Sequence, residues 1–278
     1  MALPLLKTGL IGHNISRTRL PAALRIMCDD AGMTLEFQLI DTQNEPEFDL
    51  NRCLSRVQAD GWAGTSVTHP FKPAAAAFAD GPARALGAAN LVLFDDPPVA
   101  LNTDYSGFVS AWQTAFAGMT PGRVVMAGAG GVARAIATAL IELGAETVQI
   151  SDLNAEKAAA LADEIGVVGH VVPIDRLGAV AEQADGLVNA TNMGMAGYGG
   201  SAFPLPLPST FKWAFDAVYT PVETPFIEAA MARRAEILTG FDLFKHMAVN
   251  QFIALTGLTP ANDILDRLNA LKPSGVAV

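Results

Sequence analysis

A glycine-rich turn, Gly128–Ala133, separates a short apolar run from a stretch whose apolar residues recur at helical spacing. Val132, Ile136 and Leu140 are four residues apart, and Gly144 stands where such a helix should end. A second apolar run, "TVQIS", follows directly. A strand, a helix and a second strand in this order are typical of a parallel pair with a crossover helix. The sequence therefore predicts an α/β domain around this turn.

The same turn has the pattern Gly128-x-Gly130-x-x-Ala133, which is typical of dinucleotide-binding domains. Gly128 allows the tight turn, Gly130 lets a pyrophosphate approach the backbone, and Ala133 lets the helix pack closely on the strand. The helix N-terminus then offers unpaired amide donors to the phosphates. A glycine turn that only packs is the alternative when the motif is taken alone.

An acidic residue at the end of the following strand supports the dinucleotide interpretation. Asp152 lies 24 residues after Gly128, where the acid that binds the adenosine ribose is expected. A carboxylate there accepts hydrogen bonds from ribose hydroxyls and repels a 2′-phosphate. Leu153 follows it, and the nearest cation is Lys157. We therefore predict NAD rather than NADP, the alternative being that Asp152 only caps a turn.

Composition limits the remaining classes of function. The chain has 278 residues, of which 51% are hydrophobic and 17% charged, as in a soluble protein of one large or two ordinary domains. The net charge of −10 argues against nucleic acid as a partner, and no apolar run is long enough to predict a membrane span. Cys28 and Cys53 predict neither a disulfide framework nor a metal site, which fits the cytoplasm.

Strand-like and helix-like stretches alternate along the rest of the chain. We predict early helices at Pro21–Ala31 and Asn51–Ala59, and early strands at "LLKTGLIG", "LEFQLID", "GWAGTSVTH" and "AANLVLF". This succession favours two α/β domains with parallel sheets. We expect a substrate-binding catalytic domain over residues 1–102 and a Rossmann-type domain over residues 103–239. Helices in residues 240–278 are expected to pack back on the first domain.

A lysine in the stretch "GTSVTHPFKP" has an unusual setting. Pro70 and Pro73 flank Lys72, and we expect them to keep this lysine out of a regular helix or a central strand. A lysine held in rigid, irregular backbone is a candidate for chemistry. The alternative is an ordinary solvated lysine.

Seven stretches, taken together and in order, resemble the shikimate/quinate dehydrogenase family over nearly the whole chain. They are "GHNISRTRLP", "SVTHPFK", "GAAN", "NTD", "GAGGVARA", "NATNMGM" and "DAVYTPVETP". The resemblance implies hydride transfer between NAD and a ring hydroxyl of a cyclic polyol carboxylate such as shikimate or quinate. The ketone 3-dehydroshikimate of the aromatic pathway is the oxidised partner of shikimate.

The resemblance also implies the catalytic residues. Lys72 and Asp104 match the family's lysine and aspartate, and such a pair takes up the hydroxyl proton and stabilises the developing alkoxide. Asn90 matches an amide that holds ring hydroxyls, and Thr68 and Tyr219 match substrate contacts. The alternative for Asp104 is that it only caps the helix that follows.

The chain departs from the family pattern in its substrate contacts. Thr18 keeps one hydroxyl of the family's Ser-x-Ser-Pro stretch, whereas Leu20 replaces the other. Ser66 replaces an asparagine. Met247 replaces a glutamine, counting back from "QFIALTG", and Gln251 would match only after a four-residue shift. These departures predict weak shikimate activity or a related substrate.

Several alternatives stay open. Arg17 or Arg19 could hold the substrate carboxylate in place of the lost hydroxyl. The substrate could be shikimate, quinate or an amino analogue. The chain could also be a non-catalytic NAD-binding regulator, or a lysine-using dehydrogenase with a folate-type substrate. We expect a monomer or a homodimer.

The motif and the resemblance together imply a set of NAD-binding residues. Part of this set lies in "NATNMGM", at a strand end where ligands collect in open α/β sheets, although an Asn-Gly turn is the alternative. The predicted residues are Gly128, Ala129, Gly130, Gly131, Val132, Asp152, Leu153, Thr191, Asn192, Met193, Val218 and Gly240.

Overall fold

The computed structural model describes residues 3–273, and its contacts divide the chain into two compact units. The first unit extends to Gly107 and also contains Lys245–Leu271, while the second contains Phe108–Phe244. Asp104 thus lies in the same unit as Lys72. The predicted first domain begins, and the predicted tail ends, with a few residues that lie outside the described part of the chain.

A five-stranded sheet in the order β2-β1-β3-β4-β5 forms the centre of the first unit. Its strands are β1 (Leu5–Gly12), β2 (Thr34–Asp41), β3 (Gly64–Val67), β4 (Leu91–Leu93) and β5 (Val99–Leu101). Strand β1 pairs in parallel with β2 and β3, whereas β4 is antiparallel to β3 and β5. The prediction of a parallel first sheet is therefore wrong at β4. A short turn joins β4 to β5, and only antiparallel neighbours can be joined so briefly.

These strand directions bring several chain ends to one edge of the sheet. Strands β1, β3 and β5 run in the same direction, so their carboxyl ends meet at the edge where β4 begins. Thr68 follows β3, Asn90 precedes β4, and Asn102 follows β5. The motifs "SVTHPFK", "GAAN" and "NTD" therefore converge although they are far apart in sequence.

Helices cover the first sheet and complete the unit. They are α1 (Leu20–Asp30), α2 (Leu50–Ala59), α3 (Lys72–Phe78), α4 (Pro82–Leu86), the start of α5 (Thr103–Ala115), most of α10 (Gly240–Thr256) and α11 (Ile264–Leu268). Helices α2 and α3 bury apolar side chains together with Ile11, Trp62 and Val67 of the sheet region.

The start of α3 contradicts the prediction that two prolines keep Lys72 out of a helix. Lys72 is the first residue of α3, and Pro73 lies in the first helical turn. A proline is favourable there because its fixed φ suits a helix and the amide hydrogen it lacks would have no intrahelical partner. The rigid setting of Lys72 is therefore a helix N-terminus rather than an irregular loop.

The second unit contains a six-stranded sheet in the order β11-β10-β9-β6-β7-β8, and every pairing in it is parallel. Its strands are β6 (Arg123–Ala127), β7 (Thr147–Ser151), β8 (Gly169–Val171), β9 (Gly186–Asn189), β10 (Trp213–Asp216) and β11 (Glu236–Thr239). This is the doubly wound order 3-2-1-4-5-6 of a Rossmann fold, which confirms the predicted class.

Crossover helices connect the strands of the second sheet. They are α6 (Gly131–Glu142), α7 (Ala155–Ile165), α8 (Leu177–Ala181) and α9 (Pro225–Ala232). Strands β6 and β9 are neighbours at the point where the strand order reverses, so the loops that follow them open side by side. No described helix, including the 17-residue α10, has the length and apolar character that a bilayer span requires.

Candidate active site

Lys72 and Asp104 form an ion pair in the first unit. The Nζ atom of Lys72 donates to Oδ2 of Asp104 over 2.5 Å, and the two side chains are 17% and 10% exposed. Lys72 begins α3, and Asp104 is the second residue of α5. Charges attract more strongly in such a sheltered position than in water. The pair can therefore hold an amino group in a fixed place, where it can transfer a proton and stabilise a nearby negative charge.

Asn102, rather than Asp104, caps helix α5. Its Oδ1 accepts a hydrogen bond from the backbone N–H of Tyr105 over 3.0 Å. This geometry removes the alternative in which Asp104 serves only as the helix cap. The Asp104 carboxylate is directed to Lys72 instead.

The "GAAN" stretch packs against the backbone of the Lys72–Asp104 pair. Gly87 has φ +68° and ends α4, which turns the chain towards β4. The carbonyl of Ala88 accepts from Nδ2 of Asn102 over 2.8 Å, and the N–H of Ala89 donates to the carbonyl of Lys72 over 2.9 Å. These contacts join the segments that carry Lys72 and Asp104.

Asn90 is buried and connects β3, β5 and α5. Its backbone N–H donates to the carbonyl of Leu101, and its carbonyl accepts from Val67. Its side-chain Oδ1 accepts from the backbone N–H of Thr103 over 2.6 Å and from the Thr103 hydroxyl over 3.0 Å. Because Oδ1 is engaged by Thr103, Nδ2 is the end of this amide that can donate to another group.

Ser66 contacts a residue that the sequence did not identify as part of the site. Its hydroxyl donates to Oε1 of Gln251 over 2.8 Å, and Nε2 of Gln251 donates to the Thr103 hydroxyl over 3.0 Å. Gln251 is 1% exposed. Met247 lies one helical turn earlier on α10, where its backbone crosses closely over Gly107 of α5. Helical spacing could have revealed Gln251, since residues four apart share one face of a helix.

The other predicted substrate contacts in the first unit lie beside the same sheet edge. The hydroxyl of Thr18 accepts from the N–H of Leu20 over 3.3 Å, and Leu20 is buried at the start of α1. Thr68 follows β3 and packs against Gly12, where a Cβ would lie 2.3 Å from the Thr68 methyl group. Tyr219 belongs to the second unit and stacks on Phe244, with ring centroids 5.8 Å apart.

The glycine turn of the second unit requires a glycine at its first position. Gly128 has φ +103°, and a Cβ there would lie 2.6 Å from the carbonyl oxygen of Ala190. A Cβ at Gly130, by contrast, would meet open space. Gly130 precedes α6, which begins with Gly131 and Val132. The start of α6 thus presents backbone amides to an open region that suits a pyrophosphate.

Asp152 lies directly beside this turn. Its Oδ2 accepts from the N–H of Ala129 over 2.8 Å, and its Oδ1 accepts from the N–H of Asn154 over 2.8 Å. Each carboxylate oxygen can accept a second hydrogen bond, so ribose hydroxyls can still bind. Leu153 is 93% exposed and offers an apolar surface next to the carboxylate. These features fit an adenosine with a free 2′-hydroxyl.

Asn189 organises the loop that contains most of "NATNMGM". Its Oδ1 accepts from the backbone N–H and the hydroxyl of Thr191, and its Nδ2 donates to the carbonyl of Met193 over 3.0 Å. Asn192 lies exposed between those two residues. These side-chain bonds hold the loop at the carboxyl end of β9, and the loop also contains a turn in which the N–H of Met195 donates to the carbonyl of Asn192 over 3.1 Å.

A buried carboxylate, Asp216, joins this loop to the next one. It accepts from Nδ2 of Asn189 over 2.9 Å, from the N–H of Val218 over 2.9 Å and from the Thr224 hydroxyl over 2.6 Å. Gly240 packs on the loop that follows β10, since a Cβ at Gly240 would lie 2.4 Å from the carbonyl oxygen of Ala217. Burial raises the pKa of the Asp216 carboxyl to about 6.

This pKa predicts a dependence of stability on pH. The unfolded carboxyl releases its proton near pH 3.8, whereas the folded one keeps it until about pH 6. Stability should therefore fall as the pH rises through this window, by about 3 kcal/mol, and change no further above it. Urea unfolding of the wild type and of Asp216→Asn at about pH 4 and about pH 7 isolates this contribution. An equal difference between the two proteins at both pH values would contradict it.

Comparison with known proteins identifies the class to which this fold and these sites belong. The family profile "Shikimate dehydrogenase substrate binding domain" matches residues 10–92. The profile "Shikimate / quinate 5-dehydrogenase" matches residues 111–195. The chain belongs to the shikimate/quinate dehydrogenase family, which confirms the resemblance inferred from the seven stretches.

Particular relatives are similar over almost the whole chain. The "Quinate/shikimate dehydrogenase (NAD(+))" of Corynebacterium glutamicum is 37% identical over 264 residues, which cover 91% of this chain and 93% of that protein. The "Shikimate dehydrogenase (NADP(+))" of Acidiphilium cryptum is 35% identical over 263 residues, or 92% of each chain. Relatives with either cofactor are therefore similar to this chain.

Solved structures show the same fold. Quinate dehydrogenase from Corynebacterium glutamicum in complex with NAD has a TM-score of 0.88 at 34% identity, covering 96% of this chain and 98% of that one. Shikimate 5-dehydrogenase from Thermus thermophilus in complex with NADP(H) and shikimate has a TM-score of 0.83 at 30% identity, covering 96% of this chain and 100% of that one.

Proposed function

We propose that this chain is an NAD-dependent dehydrogenase that acts on a ring hydroxyl of shikimate or of a shikimate/quinate-like cyclic polyol carboxylate. The sheltered Lys72–Asp104 ion pair is the observation that carries this proposal. It lies at the sheet edge where Asn90 also presents its amide. This pair argues for catalysis and against a regulator that only binds NAD.

The second unit supplies the residues that would hold NAD. The amides at the start of α6 would bind the pyrophosphate, Asp152 would accept from the adenosine ribose, and the loops organised by Asn189 and Asp216 would support the remaining part of the cofactor. When bound, NAD accepts the hydride that leaves the substrate carbon. The carboxylate of Asp152 disfavours a 2′-phosphate, which agrees with the NAD named for the Corynebacterium glutamicum relatives.

The first unit supplies the proton chemistry. As the hydroxyl is oxidised to a ketone, its proton passes to the Lys72–Asp104 pair, and the positive charge of Lys72 stabilises the oxygen while it carries negative charge. Asp104 positions the lysine and accepts from the substrate hydroxyl. Nδ2 of Asn90 donates to a ring oxygen. In the reverse direction the pair returns the proton to the oxygen.

The altered contacts bear on which substrate is used. Leu20 is buried and apolar, and Met247 replaces an amide, so the site offers fewer hydrogen bonds than the family pattern. Losing one charge-assisted hydrogen bond weakens binding by about tenfold to a hundredfold. We therefore propose quinate or an amino analogue beside shikimate as candidate substrates. Arg17 and Arg19, just before α1, are the candidates for holding the carboxylate.

A substrate panel tests the proposal. Shikimate, quinate and an amino analogue are each incubated with the enzyme and with either NAD or NADP, and formation of the reduced cofactor is followed by absorbance. We expect turnover of at least one substrate, with higher kcat/KM for NAD. If NAD binds but no member of the panel is oxidised, the non-catalytic regulator becomes the better explanation. The cytoplasmic location and the monomeric or homodimeric state stay predictions.

A further inference from the structure

We propose that Gln251 is a positioning residue for substrate recognition, which acts through Thr103 to hold Asn90 as a hydrogen-bond donor. The inference rests on the proposed function of the first unit. It concerns a chain of four buried side chains, here called the amide relay, which consists of Ser66, Gln251, Thr103 and Asn90. Three hydrogen bonds of 2.8–3.0 Å connect them.

The direction of every hydrogen bond in the amide relay is fixed. A backbone N–H can only donate, so the atom of Asn90 that faces the Thr103 N–H is its oxygen. The Thr103 hydroxyl near that oxygen must then donate to it, which leaves the hydroxyl oxygen to accept from the amide nitrogen of Gln251. The oxygen of Gln251 in turn accepts from Ser66.

This direction determines what the site offers to a substrate. Asn90 uses its oxygen within the relay and presents only its amino group. The carboxylate of Asp104 accepts from Lys72 through Oδ2 and can accept a further hydrogen bond. A hydroxyl within reach of both groups would satisfy them, because its oxygen would accept from Asn90 while its hydrogen donated to Asp104. At such a position the relay would favour a hydroxyl over an ether oxygen, which cannot donate.

The relay also assigns a role to Ser66. The single hydrogen of its hydroxyl is used in the bond to Gln251, and the residue is 2% exposed. Ser66 therefore keeps the side-chain amide of Gln251 in one orientation and does not donate to the substrate. The family pattern has an asparagine at this strand position. Here Ser66 makes a hydrogen bond inside the protein instead.

Kinetics of relay variants test this role. Gln251→Met keeps the shape of the side chain and removes both hydrogen bonds, and Thr103→Val removes the hydroxyl alone. With the better of shikimate and quinate as substrate, each should raise the substrate KM about three- to tenfold. The kcat and the KM for NAD should change little, because the Lys72–Asp104 pair and the second unit are untouched. Thr103→Ser keeps a hydroxyl and should restore the wild-type KM.

A double variant separates positioning from general damage. If the relay acts as one unit, Gln251→Met combined with Thr103→Val should raise KM no further than either change alone. Effects that multiply, or a lower kcat at unchanged KM, would overturn the proposal. Asn250→Ala is the matched control. It removes a 3.1 Å amide-to-hydroxyl bond to Ser106 between the same two helices and should leave KM unchanged.

A measurement without substrate keeps this inference separate from the proposed function. The side-chain amide resonances of Gln251 can be assigned by nuclear magnetic resonance from their loss in Gln251→Met. They should shift and exchange faster with water in Thr103→Val but not in Thr103→Ser. Unchanged resonances in Thr103→Val would refute the relay even if the enzyme is active. A shift in a protein that oxidises no substrate of the panel would refute the proposed function alone.

Discussion

Replacing Lys72 with alanine should lower kcat by at least about 10²-fold, because the cation proposed to stabilise the alkoxide and to share the proton transfer with Asp104 is removed. The affinity for NAD should stay unchanged, since Lys72 lies in the first unit and the glycine turn lies in the second. Steady-state kinetics and titration of NAD binding by fluorescence measure the two quantities separately.

Asp104→Ala should have an effect of similar size for a related reason. Without its carboxylate the amino group of Lys72 loses the partner that holds it at 2.5 Å, and the substrate hydroxyl loses its acceptor. Near-normal turnover in both variants would remove the catalytic assignment of the pair.

Lys7→Ala is a suitable control for the lysine change. Lys7 also belongs to the first unit, is 29% exposed, and pairs with a carboxylate, Glu36, at 3.5 Å. It lies in the first half of β1, away from the edge where the site residues converge. This control should retain wild-type kcat, and a comparable loss in Lys7→Ala would mean that any lysine deletion in the unit damages the enzyme.

Changing Asp152 to alanine should reduce kcat/KM for NAD by about tenfold to a hundredfold. This is the loss expected when hydrogen bonds to a charged acceptor are removed. The variant also loses the bond from Ala129, so part of the effect comes from a looser glycine turn. With NADP the change should be smaller or reversed, because a repulsive charge is removed from the site of the 2′-phosphate. The ratio of the two kcat/KM values is therefore the decisive quantity.

Asp163→Asn provides the comparison for this change. Asp163 is exposed on α7 of the same unit, and its substitution removes the same charge from the surface. Its cofactor preference should equal that of the wild type. A wild-type enzyme that prefers NADP would overturn the role given to Asp152 directly.

Features that depend on neighbouring residues were predictable from the sequence. The strand, glycine turn and helix around Gly128 follow from local apolar spacing and from the backbone freedom of glycine, and they define the Rossmann order. The pairing of Lys72 with Asp104 came from motif order instead. The start of α3 was predicted wrongly because a proline in the first helical turn and a proline that ends a helix look alike in a short stretch.

Features that depend on distant residues were not predictable in this way. Ser66 and Gln251 are 185 positions apart, and nothing in the residues around either one indicates that their side chains meet. Counting along α10 placed Met247 opposite the family's glutamine, and the substrate-binding role of Met247 stays a prediction. The antiparallel β4 was missed because a short apolar run does not indicate its direction.

The hydrogen bond between Ser66 and Gln251 also restricts how the sequence of this enzyme can change. An asparagine at position 66, the residue of the family pattern, would need room that the Gln251 amide fills, so this reversion depends on what stands at position 251. We therefore expect the two positions to be epistatic, so that Ser66→Asn is harmful here unless residue 251 changes too.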